Sequence, residues 1–240
     1  MEIRPVAVIH TDFPTKFGIP RQAGIVPELK GTIMFYPEYS QPEAVRGLEG
    51  FDYIWLLWDF SREHHASANA TVHPPRLGGK TSVGVFASRS PFRPNSIGLS
   101  SVKLDSVEYT GKGPVLHVSG VDMADNTPIY DIKPYITFED SHPGAKSGYV
   151  DTVSWKSLSV EDPGGLIAES RLSPLQQEAL LKILGQDPRP RFDENSDGTR
   201  RYGFYYAGFD VRFRVCGDRL TVTELVDMNI KPGEDGGRRR

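Results

Sequence analysis

The chain has 240 residues, of which 38% are hydrophobic, and a formal net charge of -3 at pH 7. This length and composition exclude general disorder and suit one large domain, or a medium domain with a small appendage. The small negative charge excludes a protein coated with basic residues, so any contact with nucleic acid must come from a local basic patch.

Up to about residue 140, short β-rich runs are separated by Gly, Pro and Asn, which predicts a barrel or a sandwich. The runs lie at 5–9, 32–36, 53–60, 83–87 and 115–121. Helical periodicity is weak apart from residues 42–48, and the strand–helix alternation of a doubly wound fold is missing. This part therefore predicts a mainly β fold and disfavours a Rossmann domain.

Residues 141–165 have the composition of a linker, and a helix is predicted after residue 172. A capping box of Ser173 and Gln176 and a proline in the first turn, Pro174, mark the start of this helix. Gly185 marks its end. Leu180, Leu181 and Leu184 form its predicted apolar face. A hairpin follows, because residues 209–215 alternate between hydrophobic and polar and a Gly-Asp turn separates them from 220–226.

These patterns divide the chain into three parts. We expect a small β-barrel domain at 1–145, a small α+β domain at 146–232 and a flexible basic tail at 233–240. Cys216, the single cysteine, excludes an internal disulfide and suits a reducing cytoplasm. No run approaches membrane-spanning length, so we expect a cytoplasmic protein with no membrane partner.

A basic window lies between Glu63 and Asp105, where no Asp or Glu occurs. It contains five cationic residues and three histidines: Arg76, Lys80, Arg89, Arg93, Lys103, His64, His65 and His73. This window predicts a local anion site. The histidines lack the spacing of a known zinc motif, so we expect no metal site.

Within the window, residues 76–100 read as a binding loop, not as a core element. Pro91 and Pro94 fix the backbone around Arg89 and Arg93, and a guanidinium held rigidly loses less entropy when it grips a carboxylate or a phosphate. The alternative is that the prolines shape a barrel corner and the arginines are solvated.

Acids and turn residues alternate between Asp122 and Tyr135. Acids at turns can accept hydrogen bonds from ribose hydroxyls or from the amino group of a metabolite. The alternative is that Asp122, Asp125 and Asp131 only cap turns. A further loop rich in glycine and proline lies at 13–24.

These segments together resemble the TsaA-like family, also called TrmO. The resemblance rests on PRQAG at 20–24, RGLEGFDYIWLLW at 46–58, PPRLGGKTSVGVFASRSPFRPNSIGLS at 74–100 and DNTPIYDIKPY at 125–135. It extends to DPRPRF at 187–192 and YAGFDVRFRV at 206–215. The resemblance implies a β-barrel tRNA (adenine(37)-N6)-methyltransferase, usually a homodimer. Such an enzyme uses S-adenosyl-L-methionine to methylate N6 of threonylcarbamoyladenosine beside the anticodon.

The resemblance also implies which residues surround the methyl donor. These are Gln22, Ala23, Gly24, Glu63, His64, Arg89, Leu99, Asp125, Asn126, Thr127, Pro128 and Ile129. Two of the matching positions depart from the family pattern, with Asn126 where members commonly have Gly and Ser96 where they commonly have Pro. Asn tolerates positive φ better than most residues, so we expect the turn at 126 to survive.

Asp131 and Asp125 are candidate general bases, since the carbamoyl group makes the acceptor N6–H more acidic. For tRNA contact we expect cationic residues near the site and in the second domain: Arg76, Lys80, Arg93, Lys133, Arg200 and Arg201. Arg189, Arg191, Arg212 and Arg214 could join them. The alternative is that the second-domain arginines balance acids at 187, 193, 194 and 197.

Two other functions stay open at this point. A non-enzymatic RNA-binding barrel would use the basic loop and Phe92 as a stacking platform. A methyltransferase with another acceptor would keep the donor pocket. A barrel with an exposed edge could also dimerise to complete its pocket.

Overall fold

The computed structural model describes residues 2–63, 69–74, 77, 81–153, 157–189 and 197–229. Its strands are β1 (Ala7–Thr11), β2 (Lys30–Phe35), β3 (Tyr53–Asp59), β4 (Thr71–Val72), β5 (Val83–Gly84), β6 (Ile97–Thr110), β7 (Gly113–Ser119), β8 (Thr127–Pro134), β9 (Ser159–Glu161), β10 (Asp197–Tyr206), β11 (Phe209–Cys216) and β12 (Arg219–Asp227). Its helices are α1 (Thr137–Asp140) and α2 (Pro174–Gly185).

Six strands close a barrel in the order β1-β2-β7-β6-β3-β8, and β8 pairs with β1. Every neighbouring pair is antiparallel. Side chains alternate between the interior and the outer wall, as in β3, where Ile54, Leu56 and Trp58 are buried. The prediction of a small β-barrel is therefore confirmed. Because the barrel is closed, it has no exposed edge, and the expectation of dimerisation through such an edge is wrong.

Three long connections leave the barrel at the same end, since β1, β3 and β7 finish where β2, β6 and β8 begin. We call them loop A (12–29), loop B (60–96) and loop C (120–126). Loop B contains the two-stranded β4–β5 ladder and a 3-10 turn at Val85–Ala87. Three motifs of the resemblance, at 20–24, 74–100 and 125–135, therefore place residues in loops A, B and C at this end of the barrel. The motif at 46–58 does not.

Several local predictions are corrected by the structure. The run 83–87 is a strand only at Val83–Gly84. Residues 42–48 do not form one helix: short 3-10 turns lie at Pro42–Val45 and Leu48–Gly50, and Gly47, with a φ of 86°, separates them. The end of the predicted binding loop belongs to β6, where Gly98 and Ser100 are buried. Asp131 lies on strand β8, not at a turn.

The C-terminal part is a four-stranded sheet, in the order β10-β11-β12-β9, with α2. The α+β prediction is confirmed, and so is the capping box, in which the Ser173 side chain and Gln176 satisfy each other's backbone amides. Two details differ. Leu181 is 42% exposed, and Ile183 takes its place on the buried face. The predicted linker contributes β9, which pairs parallel to β12.

The barrel and the C-terminal sheet share one hydrophobic core. At their junction the rings of Phe13 and Tyr206 lie 5.3 Å apart between centroids. The Ala207 amide donates a hydrogen bond of 2.8 Å to the Asp12 carbonyl. None of the described helices is long and apolar enough to cross a membrane.

Candidate functional site

Loops A, B and C are joined by hydrogen bonds at their shared barrel end. The amide of Gly24 in loop A donates to the carbonyl of Gly120 in loop C at 2.8 Å. Both glycines have positive φ, and a Cβ on Gly120 would lie 3.2 Å from the Gly24 backbone. The positive φ explains the glycine at both positions, and at Gly120 the close approach adds to it. The hydrogen bond fixes the backbone of Gly24 beside loop C.

Side chains of loop B complete the junction. Arg62 donates to the Pro14 carbonyl at 2.6 Å and to the Asp125 carbonyl at 2.9 Å, so one guanidinium connects all three loops. Glu63 forms an ion pair with Lys16 of loop A. The predicted donor-site residue Glu63 is therefore used to hold loop A against loop B.

Two other predicted donor-site residues contact each other directly. The exposed side chain of Arg89 donates a hydrogen bond to Oε1 of Gln22. Although the two residues are far apart in sequence, the fold brings the rigid basic segment of loop B onto the residues 20–24 of loop A. The guanidinium remains near the surface, where an anionic ligand can reach it.

Asp122, which the sequence singled out as one of several acids but not as a donor-site residue, lies at the centre of a chain of hydrogen bonds. The Trp58 indole donates to Ser100 Oγ at 3.0 Å, and that hydroxyl donates to Asp122 Oδ1 at 2.7 Å. Burial raises the pKa of Asp122 to about 6, although hydrogen bonds from Ser100 and the Ala23 amide and the nearby charge of Arg89 act to lower it. The sequence signal that could have singled out Asp122 is its position between two hydrophobic residues, Val121 and Met123. Both of these neighbours are buried in the structure.

Asp125 is engaged through both carboxylate oxygens. Its Oδ1 accepts from the Thr11 amide at 3.1 Å and lies 3.1 Å from His10 Nδ1, while Oδ2 accepts from Asn126. Asn126 has a φ of 62°, so the prediction that Asn would preserve this turn is confirmed. These contacts connect loop C to β1.

The start of β8 contributes mainly packing. Thr127 is buried and donates its hydroxyl to the Ala124 carbonyl at 2.8 Å. Pro128 is opposite Val8 in the β1–β8 ladder, and Ile129 is completely buried in the barrel core. The side chains of Thr127 and Ile129 are therefore turned away from solvent.

Leu99, Asp131 and Lys133 lie on the outer wall of the barrel. Leu57 of β3 is opposite both Leu99 of β6 and Asp131 of β8, so these three residues form one row across the wall. Leu99 is 50% exposed, and Asp131 forms a 2.9 Å ion pair with Lys133. The two candidate bases thus occupy different places, with Asp125 in loop C and Asp131 on the wall.

A second buried acid at the same barrel end was also missed by the sequence predictions. Asp59, the last residue of β3, is 8% exposed. Burial, with the charge and hydrogen bond of Asp59, raises the pKa of the Tyr130 hydroxyl. Tyr130 lies at the bulge where the β3–β8 register shifts, and a bulge turns a side chain in a way that simple alternation does not predict.

The residues predicted for RNA contact fall into two groups. Near the site, Arg93 donates to the Ser88 and Ser90 carbonyls at 3.1 and 3.3 Å, so it also stabilises its own loop. On the C-terminal sheet, Arg201 pairs with Glu224 at 2.7 Å, and Arg200 lies over the Tyr202 ring at 5.4 Å.

The acids that pair with the C-terminal arginines agree only in part with those expected from the sequence. Arg189 is paired with Asp187, as the sequence alternative suggested, but Arg201 and Arg212 share Glu224, an acid that the alternative did not include.

Some predicted residues lie outside the described part of the chain: His64, His65, Arg76, Lys80, Arg191 and the tail 233–240. Within the described ranges, no group of three or more His, Cys, Asp or Glu side chains is arranged to hold a metal ion.

Comparison with known proteins identifies both parts of the chain. The model described as tRNA-methyltransferase O N-terminal domain matches residues 8–141, and the model described as TrmO C-terminal domain matches residues 166–228. The tRNA (adenine(37)-N6)-methyltransferase of Escherichia coli K12 is 35% identical over 228 residues, which cover 93% of this chain and 97% of that protein.

Two further comparisons agree. A Pseudomonas aeruginosa protein named "Putative S-adenosylmethionine-dependent methyltransferase RcsF" is 37% identical over 220 residues, covering 88% of this chain and 91% of that one. A crystal structure of TrmO from P. aeruginosa superposes with a TM-score of 0.73 at 31% identity, covering 95% of this chain and 97% of the other. Matches of this extent, over the barrel and over the C-terminal sheet, show that the chain belongs to the tRNA-methyltransferase O (TrmO) family.

Proposed function

We propose that this protein is an S-adenosyl-L-methionine-dependent tRNA methyltransferase that methylates N6 of adenine 37, in the form that carries a threonylcarbamoyl group. The observation that supports this most strongly is the junction of loops A, B and C, which joins Gln22, Arg89 and Asp122 at one end of a barrel of this family. The proposed acceptor, adenine 37, follows the activity for which the Escherichia coli relative is named.

The residues at the junction match the chemistry of the donor. S-adenosyl-L-methionine carries a carboxylate, an ammonium, a ribose, an adenine and a sulfonium, and it supplies an electrophilic methyl group when bound. Arg89 offers a guanidinium for the carboxylate, and Asp122 offers an acceptor for the ammonium or a ribose hydroxyl. The backbone of Ala23 and Gly24 is fixed beside them and offers further polar groups.

Donor binding can be tested by isothermal titration calorimetry with S-adenosyl-L-methionine. We expect Arg89→Ala to weaken binding at least tenfold, because it removes a charge-assisted hydrogen bond. Arg219→Ala, which removes an exposed arginine paired with Glu161 on the C-terminal sheet, is the control and should retain affinity. Equal affinity of the Arg89 variant and the unaltered chain would contradict the assignment of Arg89.

The proton of the acceptor N6 needs a base, for which Asp131 and Asp125 are the candidates from sequence and Asp122 is a third. Asp125 has both oxygens engaged by neighbours, and Asp131 is paired with Lys133 on the outer wall. Burial raises the pKa of Asp122 to about 6, which suits a group that accepts a proton near neutral pH. The test is to measure kcat against pH for an Asp→Asn variant at each of the three positions. The variant that lowers kcat and removes the acidic limb of the pH–rate profile identifies the base.

We further propose that the barrel, residues 1–145, carries the donor site and that residues 146–232 contact the tRNA. The outer face of the C-terminal sheet supports this, because Arg201 is directly opposite Arg214 on the neighbouring strand. Like charges in this arrangement repel each other; Glu224 offsets part of the repulsion through its ion pair with Arg201, and a phosphate would offset more of it. Near the site, Arg93 and Lys133 supply further positive charge, and Arg76 and Lys80 are proposed from sequence alone.

The tRNA surface can be tested by charge reversal. Arg200→Glu combined with Arg201→Glu should weaken tRNA binding and reduce its salt dependence. Arg219→Glu, at the end of the same sheet and paired with Glu161, is the control. Unchanged affinity across a salt series would overturn the proposed surface while leaving donor binding untouched.

A homodimer in the cytoplasm completes the proposal. Exposed hydrophobic side chains lie on the outer wall of the barrel, where Leu99 is 50% and Tyr53 is 45% exposed, and in α1, where Phe138 is 82% exposed. Because Leu99 points outward, a second copy on this wall would cover it beside the donor site. Phe138→Glu should convert a dimer to a monomer in sedimentation analysis, whereas Met228→Glu, in the turn that follows β12, should not.

A further inference from the structure

Loop A, which carries Gln22, Ala23 and Gly24, has 18 residues between β1 and β2 and no regular strand or helix of its own. Loops of this length usually open at low free-energy cost unless other elements hold them. Binding groups presented by such a loop gain affinity when they are held in advance, since less freedom is lost on binding. The elements that hold loop A therefore matter for the proposed donor site.

One face of loop A is held by the site itself. The Asp125 amide donates to the Phe13 carbonyl at 2.7 Å, and Arg62 donates to the Pro14 carbonyl at 2.6 Å. Farther along the loop, Arg89 donates to Gln22.

The opposite face of loop A is held by the C-terminal part of the chain. Asp12 is the centre of this contact, because its carbonyl accepts from the Ala207 amide and its Oδ2 accepts from Gln176 Nε2 at 3.1 Å. Burial, together with the charge of Asp12, raises the pKa of the neighbouring Tyr206. Lys182 of α2 forms an ion pair with Glu28, at the far end of the loop.

Packing reinforces these polar contacts. A Cβ on Gly18 would lie 2.3 Å from the Phe204 ring, so the loop backbone touches the C-terminal sheet directly. Burial acts to raise the pKa of Glu28, but the hydrogen bond and charge of Lys182, together with backbone and Glu178 hydrogen bonds, hold that pKa below its usual value. The ion pair therefore persists in a partly buried place.

Backbone strain marks the same contact. Ala207 has a φ of 47° in the turn between β10 and β11, followed by Gly208 with a φ of 82°. This left-handed conformation suits Gly or Asn and is unfavourable for Ala. Strain of this kind persists only where neighbouring structure fixes it, and here the Ala207 amide is bonded to Asp12.

We propose that the C-terminal part of the chain is a positioning element for the methyl-donor site, acting through Asp12, Gln176 and Lys182 to hold loop A in its binding conformation. This inference rests on the proposed function, because it takes loop A as part of the donor site. It gives the C-terminal part a role in donor affinity in addition to tRNA contact.

The test is a charge change that leaves the helix cap intact. Gln176→Glu retains the capping box, since Glu serves equally well at that position, but it places a second carboxylate beside Asp12. Leu175→Glu adds the same charge one residue earlier, on an exposed side chain, and is the matched control. Asp12→Asn combined with Gln176→Glu restores a donor and acceptor pair.

Two measurements are made on these full-length proteins: S-adenosyl-L-methionine affinity by calorimetry and amide hydrogen exchange of residues 12–29. In Gln176→Glu we expect about tenfold weaker affinity and faster exchange in loop A. The control should match the unaltered chain, and the double variant should recover both properties. Unchanged affinity with unchanged exchange in Gln176→Glu would overturn the positioning role alone.

The two measurements separate the possible failures. If the unaltered chain does not bind the donor, the proposed function is wrong, and the claim that the C-terminal part raises donor affinity is wrong as well. If exchange accelerates while donor affinity stays unchanged, the C-terminal part holds loop A for stability only, and the positioning role is wrong.

Discussion

Asp122→Asn is the substitution whose consequences follow most directly from the site. The pKa of Asp122 is raised from 3.8 to about 6 by burial, so the folded chain binds this proton more tightly than the unfolded chain does. The contribution of Asp122 to stability is therefore fully present below pH 3.8 and is lost as the pH rises through about 6. The difference between the two pKa values corresponds to about 3 kcal/mol of unfolding free energy.

Asn at position 122 removes this titration and keeps an oxygen that can accept from Ser100. The free energy of unfolding of the variant, minus that of the unaltered chain, should therefore rise with pH, by about 2–3 kcal/mol between pH 4 and pH 8. Other titrating groups cancel in this difference. Urea unfolding at a series of pH values, followed by tryptophan fluorescence, measures it. A difference that is independent of pH, or that falls as the pH rises, would refute the reasoning.

Two further substitutions test the packing. Gly98→Ala would place a Cβ 2.2 Å from the buried Trp58 ring, and we expect the free energy of unfolding in urea to fall by about 1–3 kcal/mol. Gly84→Ala, whose Cβ would have no neighbour within 4 Å, is the control. Equal stability of the two variants would contradict the prediction. Ser173→Ala removes the side-chain cap of α2 and should lower the free energy of unfolding by about 1 kcal/mol. An unchanged midpoint would show that the cap contributes nothing.

Much of the fold could be predicted because local patterns and tertiary structure agree. The alternation at 209–215 and the capping box at Ser173 each specify one element, and both elements form. Residues 42–48 mislead because Gly47 needs a left-handed conformation, which interrupts the helical turns. Leu181 and Ile183 could not be assigned to faces of α2 without knowing which side the sheet covers.

The site was predictable as a set of loops but not as a set of contacts. Motif resemblance indicated Gln22 and Arg89, yet only the closed barrel explains why residues so far apart meet. Asp122 was named among the acids of its segment but not assigned to the donor site, because its contact with Ser100 depends on the pairing of distant strands. Tyr130 was overlooked because a bulge shifts the register of β8.

The most direct test of the proposed function is methyl transfer from labelled S-adenosyl-L-methionine to tRNA, compared with and without the threonylcarbamoyl group on adenine 37. Arg89→Ala serves as the donor-site variant and Arg219→Ala, at an exposed arginine paired with Glu161, as its control. We predict transfer to the modified tRNA alone, which is lost with Arg89→Ala and retained with Arg219→Ala. Transfer to neither tRNA, by a protein that binds the donor, would contradict the proposed acceptor and indicate a different one.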